Sequence, residues 1–380
     1  MKLVYIANIR LPTEKAHGIQ IMKMCEAFAR EEVKVELIVP RRFNFIKEDP
    51  FKYYGIKKNF RIKKLPCLDL IPLDKYIGHL GMWIESFTFN CFAFFYLLFQ
   101  RVYLIYTRDK LFLPFGFFKK NLIFESHSFP KNYFLYSPFL KRLKGIIVIT
   151  QKLKDLFVKQ GIAAEKILVA PDGVDLEKFN IREKKEEYRK EFNLPLNQKI
   201  IGYVGRLETM EKEKGVDTLI KAFRILSETF NNLFLCIVGG PKERMIEYQD
   251  FVRQIDIDEK VEFLDQVKYR SIPKILKSFD VLVMPYPWIE HYAFYMSPLK
   301  LFEYMASKRP IVASDLPSIR EILNENNAIL VEPDNPGALA QGIKEILQNP
   351  EFSSKISNQA LRDVREYTWT NRAKKILKFL

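Results

Sequence analysis

The sequence predicts an α/β protein with two doubly wound parallel sheets, each covered by helices on both faces. Short, uniformly apolar runs such as KLVYIA and KIIGYVG recur along the chain, and amphipathic helical segments separate them. Strands that are apolar on both sides are typical of parallel sheets buried between helices. A chain of 380 residues is also long enough for two domains with separate cores.

The strands are predicted from these runs in chain order. The first half contains KLVYIA, VKVELIVP, VYLIYT, NLIFES, GIIVIT and KILVAP, and the second half contains KIIGYVG, NLFLCIVGG, VEFLD, DVLVMPY, RPIVASD and NAILVEP. The apolar positions Ile19, Met22, Cys25 and Phe28 have the helical spacing expected of the segments between strands. The domain boundary is predicted between PDGVDLEKF and the charged segment REKKEEYRKEF, which gives domains of residues 1–178 and 179–366.

Basic charge is concentrated in the first half of the chain. The net charge is +15, and the residues through Leu176 carry 29 Lys and Arg against 16 Asp and Glu. Such asymmetry indicates a polyanionic partner or an anionic membrane surface. The four cysteines have no metal-binding spacing, which suits a reducing cytoplasm, and the chain starts directly in a predicted strand. We therefore expect a cytoplasmic protein without a signal peptide.

Ligands of such sheets bind beyond the carboxyl ends of the strands. Arg206 follows KIIGYVG, and Lys214 and Gly215 precede the next helix. Two cations beside a helix N-terminus indicate a diphosphate site, although two ordinary surface cations would give the same pattern. Gly239 follows the next strand, where it would serve either a close backbone approach or a plain turn. GxGxxG and the P-loop are absent from the sequence, so the usual nicotinamide and ATP signatures do not apply.

The segment SPLKLFEYMASKRPIVASD carries a carboxylate among core-type residues. Ser297 is predicted to cap a helix that begins at Pro298, and the free N–H groups of Leu299 and Lys300 would then bind an anion. One turn further on, Glu303 could accept hydrogen bonds from the vicinal hydroxyls of a ribose. An exposed ion pair between Lys300 and Glu303 is the alternative.

Several segments together resemble a known family. GRLETMEKEKGVDTLIKAF, LCIVGG, SPLKLFEYMASKRPIVASDLPSIREIL and VEPDNPGALAQGI follow the order and spacing of the donor half of the retaining glycosyltransferases of family 4, which have the GT-B fold. The first half agrees through RLPTEKAHGIQ, YTR, FESHSFP and APDGVDLEKF. The resemblance implies two Rossmann-like domains facing across a cleft. Residues 1–178 would bind the acceptor, residues 179–366 would bind the donor, and a C-terminal helix over 367–380 would cross back to the first domain.

The resemblance also implies roles for individual residues. Arg206 and Lys214 match the basic pair that holds the donor diphosphate, and Glu303 matches the carboxylate that binds the nucleotide ribose. Gly18 matches a glycine of the first loop that approaches the diphosphate, and His127 matches a histidine near the transferred sugar. The predicted catalytic residues are therefore His127, Arg206 and Lys214, and the predicted donor-binding residues are Gly18, Arg206, Lys214, Gly239, Ser297, Leu299, Lys300 and Glu303.

One position departs from the family pattern. Glu303 matches the second glutamate of the family motif, and Tyr295 stands where the family has the first, eight positions earlier. Glu290 and His291 lie close by in sequence and could substitute for it. In this variant of the motif, Ser297 and Lys300 would take over contacts to the phosphates.

The function implied is the transfer of a sugar, with retention, from a nucleotide-sugar donor of the UDP or GDP type to an acceptor hydroxyl. The acceptor would be a lipid-linked compound or a glycan of the cell envelope. Because cations would stabilise the leaving diphosphate, no metal or other cofactor is expected; Asp256 and Asp258 are interpreted as part of a solvated loop. A GT-B sugar-nucleotide epimerase and a basic nucleic-acid-binding protein are the alternatives, and no recognised nucleic-acid motif supports the second.

Aromatic residues cluster between Trp83 and Phe118, where the sequence has 14 of them. The run FTFNCFAFFYLLF is shorter than the roughly 20 residues that a membrane span needs. Either this run is a buried helix, or its aromatic side chains lie at a membrane interface. Together with the basic charge, the second interpretation predicts a peripheral protein on the inner face of the cytoplasmic membrane.

Overall fold

The computed structural model describes residues 1–209 and 212–380 and contains two compact units. The first unit consists of Met1–Asp172 and Trp369–Leu380, and the second consists of Gly173–Thr368. The division falls before the predicted boundary at residue 178, because Val174 and Phe179 are buried in the core of the second unit.

The first unit is built on a seven-stranded parallel sheet with the order β3-β2-β1-β4-β5-β6-β7. Its strands are β1 (Lys2–Ile6), β2 (Lys34–Pro40), β3 (Arg61–Leu65), β4 (Leu104–Thr107), β5 (Leu122–Ser126), β6 (Gly145–Val148) and β7 (Ile167–Val169). Its helices are α1 (Ala16–Arg30), α2 (Pro50–Tyr54), α3 (Asp74–Ile77), α4 (Leu80–Leu98), α5 (Tyr133–Leu140) and α6 (Gln151–Lys159).

The second unit is built on a six-stranded parallel sheet with the order β12-β11-β8-β13-β14-β15. Its strands are β8 (Lys199–Val204), β11 (Leu233–Val238), β12 (Val261–Leu264), β13 (Val281–Met284), β14 (Ile311–Ser314) and β15 (Ile329–Val331), and a small antiparallel pair is formed by β9 (Glu208–Thr209) and β10 (Lys212–Glu213). Its helices are α7 (Leu176–Phe179), α8 (Lys185–Glu191), α9 (Val216–Ser227), α10 (Lys242–Gln254), α11 (Ile272–Ser278), α12 (Glu290–Phe294), α13 (Leu299–Ala306), α14 (Pro317–Arg320), α15 (Pro336–Gln348) and α16 (Pro350–Asp363).

The chain ends in α17 (Trp369–Phe379), which packs against α1 in the first unit. Short 3-10 helices complete the described elements, at Ile71–Leu73, Lys110–Phe117, Ala164–Lys166, Asp258–Lys260, Tyr269–Ser271 and Val364–Glu366.

The predicted fold class, two doubly wound parallel sheets, is confirmed. In β8 the adjacent residues Ile200 and Ile201 are fully buried in two different cores, so this sheet is covered on both faces. All twelve apolar runs form strands, whereas β3 was not predicted. Its sequence RIKKL is strongly charged, and it lies at the edge of the sheet, where charged side chains remain in solvent.

The aromatic segment of the first unit lies in α4, and only one face of this helix is buried. Phe89, Ala93 and Leu97 face the core, while Trp83 and Phe87 are largely exposed. The helix is therefore buried along one face only, and the opposite face exposes aromatic side chains. Across the described ranges 1–209 and 212–380, no helix combines the length and the apolar character needed to cross a membrane.

Candidate functional site

The carboxyl ends of β8 and β11 meet at one edge of the second sheet. The N–H of Gly205 donates to the carbonyl of Val238 over 2.9 Å. Gly239 has a φ of +152°, and a Cβ at this position would lie 1.9 Å from the carbonyl oxygen of Gly205. This close approach of two backbone segments explains the need for glycine at 239 without any ligand. Its predicted role in donor binding stays a prediction.

Helix α13 is held against the end of β8 by Tyr304. Its hydroxyl accepts a hydrogen bond from the N–H of Val204 at 2.8 Å and lies 3.3 Å from the carbonyl of the same residue. The helix begins at Leu299, one residue later than predicted, because Pro298 has an extended ψ of 129° and occupies the N-cap. Ser297 thus lies one residue before the N-cap, and the prediction that it occupies the N-cap itself is wrong.

Lys300 is buried without a hydrogen-bond partner. It is 8% exposed, and no described residue accepts a hydrogen bond from its Nζ. The ammonium instead lies over the ring of Tyr203, 3.8 Å from the centroid, and 5.2 Å from the centroid of Tyr286. A cation–π contact of this kind offsets only part of the cost of removing the charge from water. Burial, and then the positive charge of Lys214, hold the pKa of Lys300 well below its usual value.

Gly205 provides the space that Lys300 occupies. A Cβ at this position would lie 2.7 Å from Cε and 2.8 Å from Nζ of Lys300. Its φ of +149° is also one that residues with side chains rarely adopt. The end of β8 is therefore shaped around the lysine, although nothing in the sequence of this loop indicates the contact.

Glu303 lies one turn after Lys300 and is also buried, with 9% of its surface exposed. The alternative of a solvent-exposed pair between these two residues is therefore wrong. Burial raises the pKa of Glu303 to about 7, even though Lys300 and Lys178 act in the opposite direction. The site thus contains a carboxyl and an amine that both lack the solvation of their charged forms, which is typical of groups that meet a polar ligand.

The predicted cationic pair lies at the same end of β8. Arg206 follows the strand, and its carbonyl oxygen accepts a 2.8 Å hydrogen bond from the hydroxyl of Tyr203. Burial lowers the pKa of Lys214 to about 8, and the charge of Arg206 acts in the same direction. The two side chains are thus close enough to repel each other. Neither is fully exposed, which argues against two independent surface cations.

The start of α9, which was expected to face a phosphate beside these cations, is already occupied. The carboxylate of Glu213 accepts hydrogen bonds from the N–H of Gly215 at 2.7 Å and from the N–H of Val216 at 3.2 Å. This start of a helix is therefore capped by the protein itself. The side chains of Arg206 and Lys214 remain as the predicted phosphate ligands in this loop.

The residues near the missing family glutamate form a contact of their own. Tyr295 directly follows α12, and its hydroxyl donates to the carboxylate of Glu290 over 3.2 Å. Burial lowers the pKa of His291, and the charges of Lys212 and Lys214 add to this effect. Glu290 is thus engaged with Tyr295, and His291 lies within the electrostatic influence of Lys212 and Lys214.

Two predicted residues, Gly18 and His127, belong to the first unit. Gly18 lies within α1 rather than in a loop, and a Cβ there would lie 2.3 Å from the hydroxyl of Tyr54. The lack of space beside Tyr54 is a structural reason for glycine at position 18. His127 follows β5, and its Nε2 lies 2.6 Å from the carboxylate of Glu125.

Among residues 1–209 and 212–380, no group of three or more His, Cys, Asp or Glu side chains is arranged to hold a metal ion. Asp256 lies in a turn with a φ of 56°, and Asp258 begins a 3-10 helix.

Most of the second unit is similar to a known protein family. Residues 184–363 match the family model of glycosyl transferases group 1. This segment contains Arg206, Lys214, Lys300 and Glu303, the residues that the fold brings to the edge of the second sheet. This part of the chain, a little under half of its length, is therefore similar to the group 1 glycosyltransferases.

Curated relatives are similar over part of their length. An uncharacterized glycosyltransferase of Methanocaldococcus jannaschii is 31% identical over 215 residues, which cover 55% of this chain and 52% of the relative. The O-antigen chain mannosyltransferase RfbU of Salmonella typhimurium is 28% identical over 230 residues, covering 60% of this chain and 58% of that protein. The chain thus spans little more than half the length of these relatives.

Solved structures match the whole chain in fold. The sucrose-phosphate synthase of Thermosynechococcus elongatus has a TM-score of 0.77 at 18% identity and covers 100% of this chain and 98% of its own. The Anabaena protein HepE, in complex with UDP and glucose, has a TM-score of 0.75 at 16% identity with the same coverage. At this level of identity the likeness concerns the fold alone, and it places both units in the GT-B class.

Proposed function

We propose that this protein transfers a sugar from a nucleoside diphosphate donor to an acceptor hydroxyl. The observation that carries the proposal is the buried ammonium of Lys300, which lacks a hydrogen-bond partner among the described residues and lies beside the buried carboxyl of Glu303. A free protein gains nothing from this arrangement, since both charged forms are poorly solvated. A ligand with an anionic part and a pair of hydroxyls would satisfy both groups.

The chemistry follows from the charges around this site. The bond between the sugar and the diphosphate breaks with negative charge developing on the leaving group. Lys300, Arg206 and Lys214 would stabilise that charge electrostatically, and the start of α13 would add N–H donors. Glu303 would accept hydrogen bonds from the ribose hydroxyls and so orient the nucleotide. Because three cations serve the diphosphate, we propose that no metal ion is needed.

Donor and acceptor classes are supported by the relatives. One relative is an O-antigen chain mannosyltransferase, and one solved neighbour contains UDP and glucose. We therefore propose a UDP- or GDP-sugar as donor and a glycan or lipid-linked acceptor of the cell envelope, with retention of configuration. His127 of the first unit is proposed to contact the transferred sugar, as the family resemblance implies.

The transfer proposal is tested with a panel of radiolabelled UDP- and GDP-sugars and membrane or glycan fractions as acceptors. We expect label from one donor to enter the acceptor fraction, with and without EDTA. Glu303→Ala should abolish transfer, and the exposed Glu351→Ala of α16 is the matched control. Nuclear magnetic resonance of the product gives its anomeric configuration. Release of a free epimerised sugar nucleotide without acceptor would instead support the epimerase alternative.

The first unit is proposed to dock on an anionic membrane surface in the cytoplasm. Trp83, Phe87 and Phe99 are exposed along and just beyond α4, and Phe99 is 87% exposed. Phe99 also lines a cavity of about 670 Å³ together with Lys2, Arg101, Lys119 and other residues. Exposed aromatic rings and basic side chains suit the interface of an anionic bilayer. Each Lys or Arg near such a surface contributes about 1 kcal/mol of favourable binding free energy.

Vesicle flotation tests this docking. Binding should require anionic lipid, weaken as salt rises, and fall in the double variant Trp83→Ser with Phe87→Ser. Trp288→Ser is the matched control, because it removes an exposed tryptophan from the second unit. Equal and negligible binding of the wild type to neutral and anionic vesicles at low salt would refute the docking and leave the transferase proposal unaffected.

A further inference from the structure

The first unit contains a buried carboxylate that the proposed reaction has not used. Glu125 is the penultimate residue of β5 and is 1% exposed. Its Oε1 accepts hydrogen bonds from Nε2 of Gln20 at 2.6 Å and from the guanidinium of Arg372 at 3.0 Å, and it lies 2.6 Å from Nε2 of His127. The hydroxyl of Tyr106 donates to Oε2. Four side chains from different elements therefore converge on one carboxylate.

The charge of this carboxylate is fixed by its neighbours. Burial alone would raise the pKa of Glu125, but Arg372, His127 and Arg108 outweigh burial and hold that pKa well below its usual value. Arg372 belongs to α17, and it is itself fixed by hydrogen bonds from Nε to the carbonyls of Ala170 at 3.2 Å and Pro171 at 2.8 Å. The last helix of the chain thus supplies the cation that keeps Glu125 ionised.

An ionised carboxylate can only accept hydrogen bonds. The ring nitrogen of His127 that faces Glu125 must therefore carry a proton. Burial and the charge of Arg108 lower the pKa of His127, while Glu125 and Asp172 act against them, and the net shift is downward. At neutral pH the ring is thus uncharged, and it holds only one proton.

We propose that Glu125, paired with Arg372, is a positioning residue that fixes the proton of His127 on Nε2 and leaves Nδ1 as the hydrogen-bond acceptor of the neutral ring. In the transfer reaction, the histidine would then accept a hydrogen bond from a sugar hydroxyl rather than donate one. This second statement rests on the proposed function, whereas the position of the proton does not.

The direct test is the tautomer of His127 in the full-length protein without ligand. Histidines are labelled with ¹⁵N, and the signal of His127 among the four histidines is identified by its loss in His127→Gln. At neutral pH we expect a protonated Nε2 and an unprotonated Nδ1. In Glu125→Gln the side-chain amide can donate as well as accept, so the Nδ1-protonated form should become a major species.

Two further variants separate positioning from folding. Glu125→Gln with Arg372→Met removes both buried charges together and should give the same mixture of tautomers if the single variant folds poorly. Lys375→Met changes an exposed residue of the same helix and should leave the tautomer unchanged. Wild-type His127 with its proton on Nδ1, or with both nitrogens protonated at neutral pH, would overturn the proposal. An unchanged tautomer in folded variants that lack the Glu125 carboxylate would do the same.

Failure of this inference and failure of the proposed function are distinguishable. If the tautomer is as expected but no sugar nucleotide serves as donor, the positioning of His127 stands and the transfer reaction is wrong. In an active protein, Glu125→Gln should lower kcat more than it raises the KM for the donor, because the donor phosphates and ribose are assigned to other residues. A change confined to the KM would contradict a positioning role.

Discussion

The buried carboxyl of Glu303 makes a quantitative prediction about stability. Burial raises its pKa from 4.5 to about 7 in the folded protein. Between these two values the folded state keeps a proton that the unfolded chain has released. The contribution of Glu303 to the free energy of unfolding is therefore fully present below pH 4.5 and is lost as the pH rises through about 7. At 1.36 kcal/mol per pKa unit, the loss is about 3 kcal/mol.

The assay compares wild type with Glu303→Gln by urea unfolding over a pH series. Since the glutamine side chain of the variant does not titrate, the difference in unfolding free energy between the two proteins isolates this one carboxyl from all others. We expect the wild type to lose about 3 kcal/mol relative to the variant as the pH rises from below 4.5 to above 7. Glu351→Gln, at an exposed position of the same unit, is the control for loss of one carboxyl group. A difference that is constant over this interval, or that grows in favour of the wild type, would refute the reasoning.

Four further predictions concern the same site. Lys300→Met should raise the melting temperature of the free protein, because it removes a poorly solvated charge. The same variant should weaken UDP or GDP binding by about 10- to 150-fold, because it loses one charge-assisted hydrogen bond of about 1.5–3 kcal/mol. Lys355→Met, at an exposed position, should change neither the melting temperature nor the affinity. Gly205→Ala should also weaken nucleotide binding in calorimetry, since its Cβ would lie 2.7 Å from Cε of Lys300; unchanged affinity would show that the lysine is not a ligand. If ribose hydroxyls bind the ionised carboxyl of Glu303, nucleotide binding near neutral pH should release protons, detectable as a dependence of the binding enthalpy on the buffer. Transfer should persist in excess EDTA, and a complete loss that Mn²⁺ or Mg²⁺ restores would show that the cations do not suffice.

Much of the fold could be predicted because its strands are apolar on both sides. That signal fails for β3, whose charged residues pair with only one neighbour at the sheet edge. The apolar pattern also does not define where α13 begins. In the sequence Ser-Pro, the serine could cap a helix that starts at the proline, or the proline could itself be extended and precede the helix, as Pro298 does.

The candidate site could be predicted only in part. Arg206, Lys214 and Glu303 were recognisable from their motifs, in segments that follow the ends of strands. The buried environment of Lys300 could not be predicted, because Tyr203 and Gly205 come from a strand end that is distant in sequence and contact the lysine only in the folded unit. The same reason applies to Arg372, whose contact with Glu125 joins two segments separated by most of the chain.

Nucleotide binding by the second unit tests the central claim most directly. UDP and GDP are titrated by calorimetry into the wild type, Arg206→Ala, Lys214→Ala and Glu303→Gln, in EDTA. We predict saturable binding of one nucleotide to the wild type and weaker binding to each variant, with thermal stabilisation of about 2.7 kcal/mol when the ligand is present at 100 times its dissociation constant. No binding of either nucleotide, or equal affinity in the wild type and all three variants, would contradict the assignment of this site to a nucleoside diphosphate.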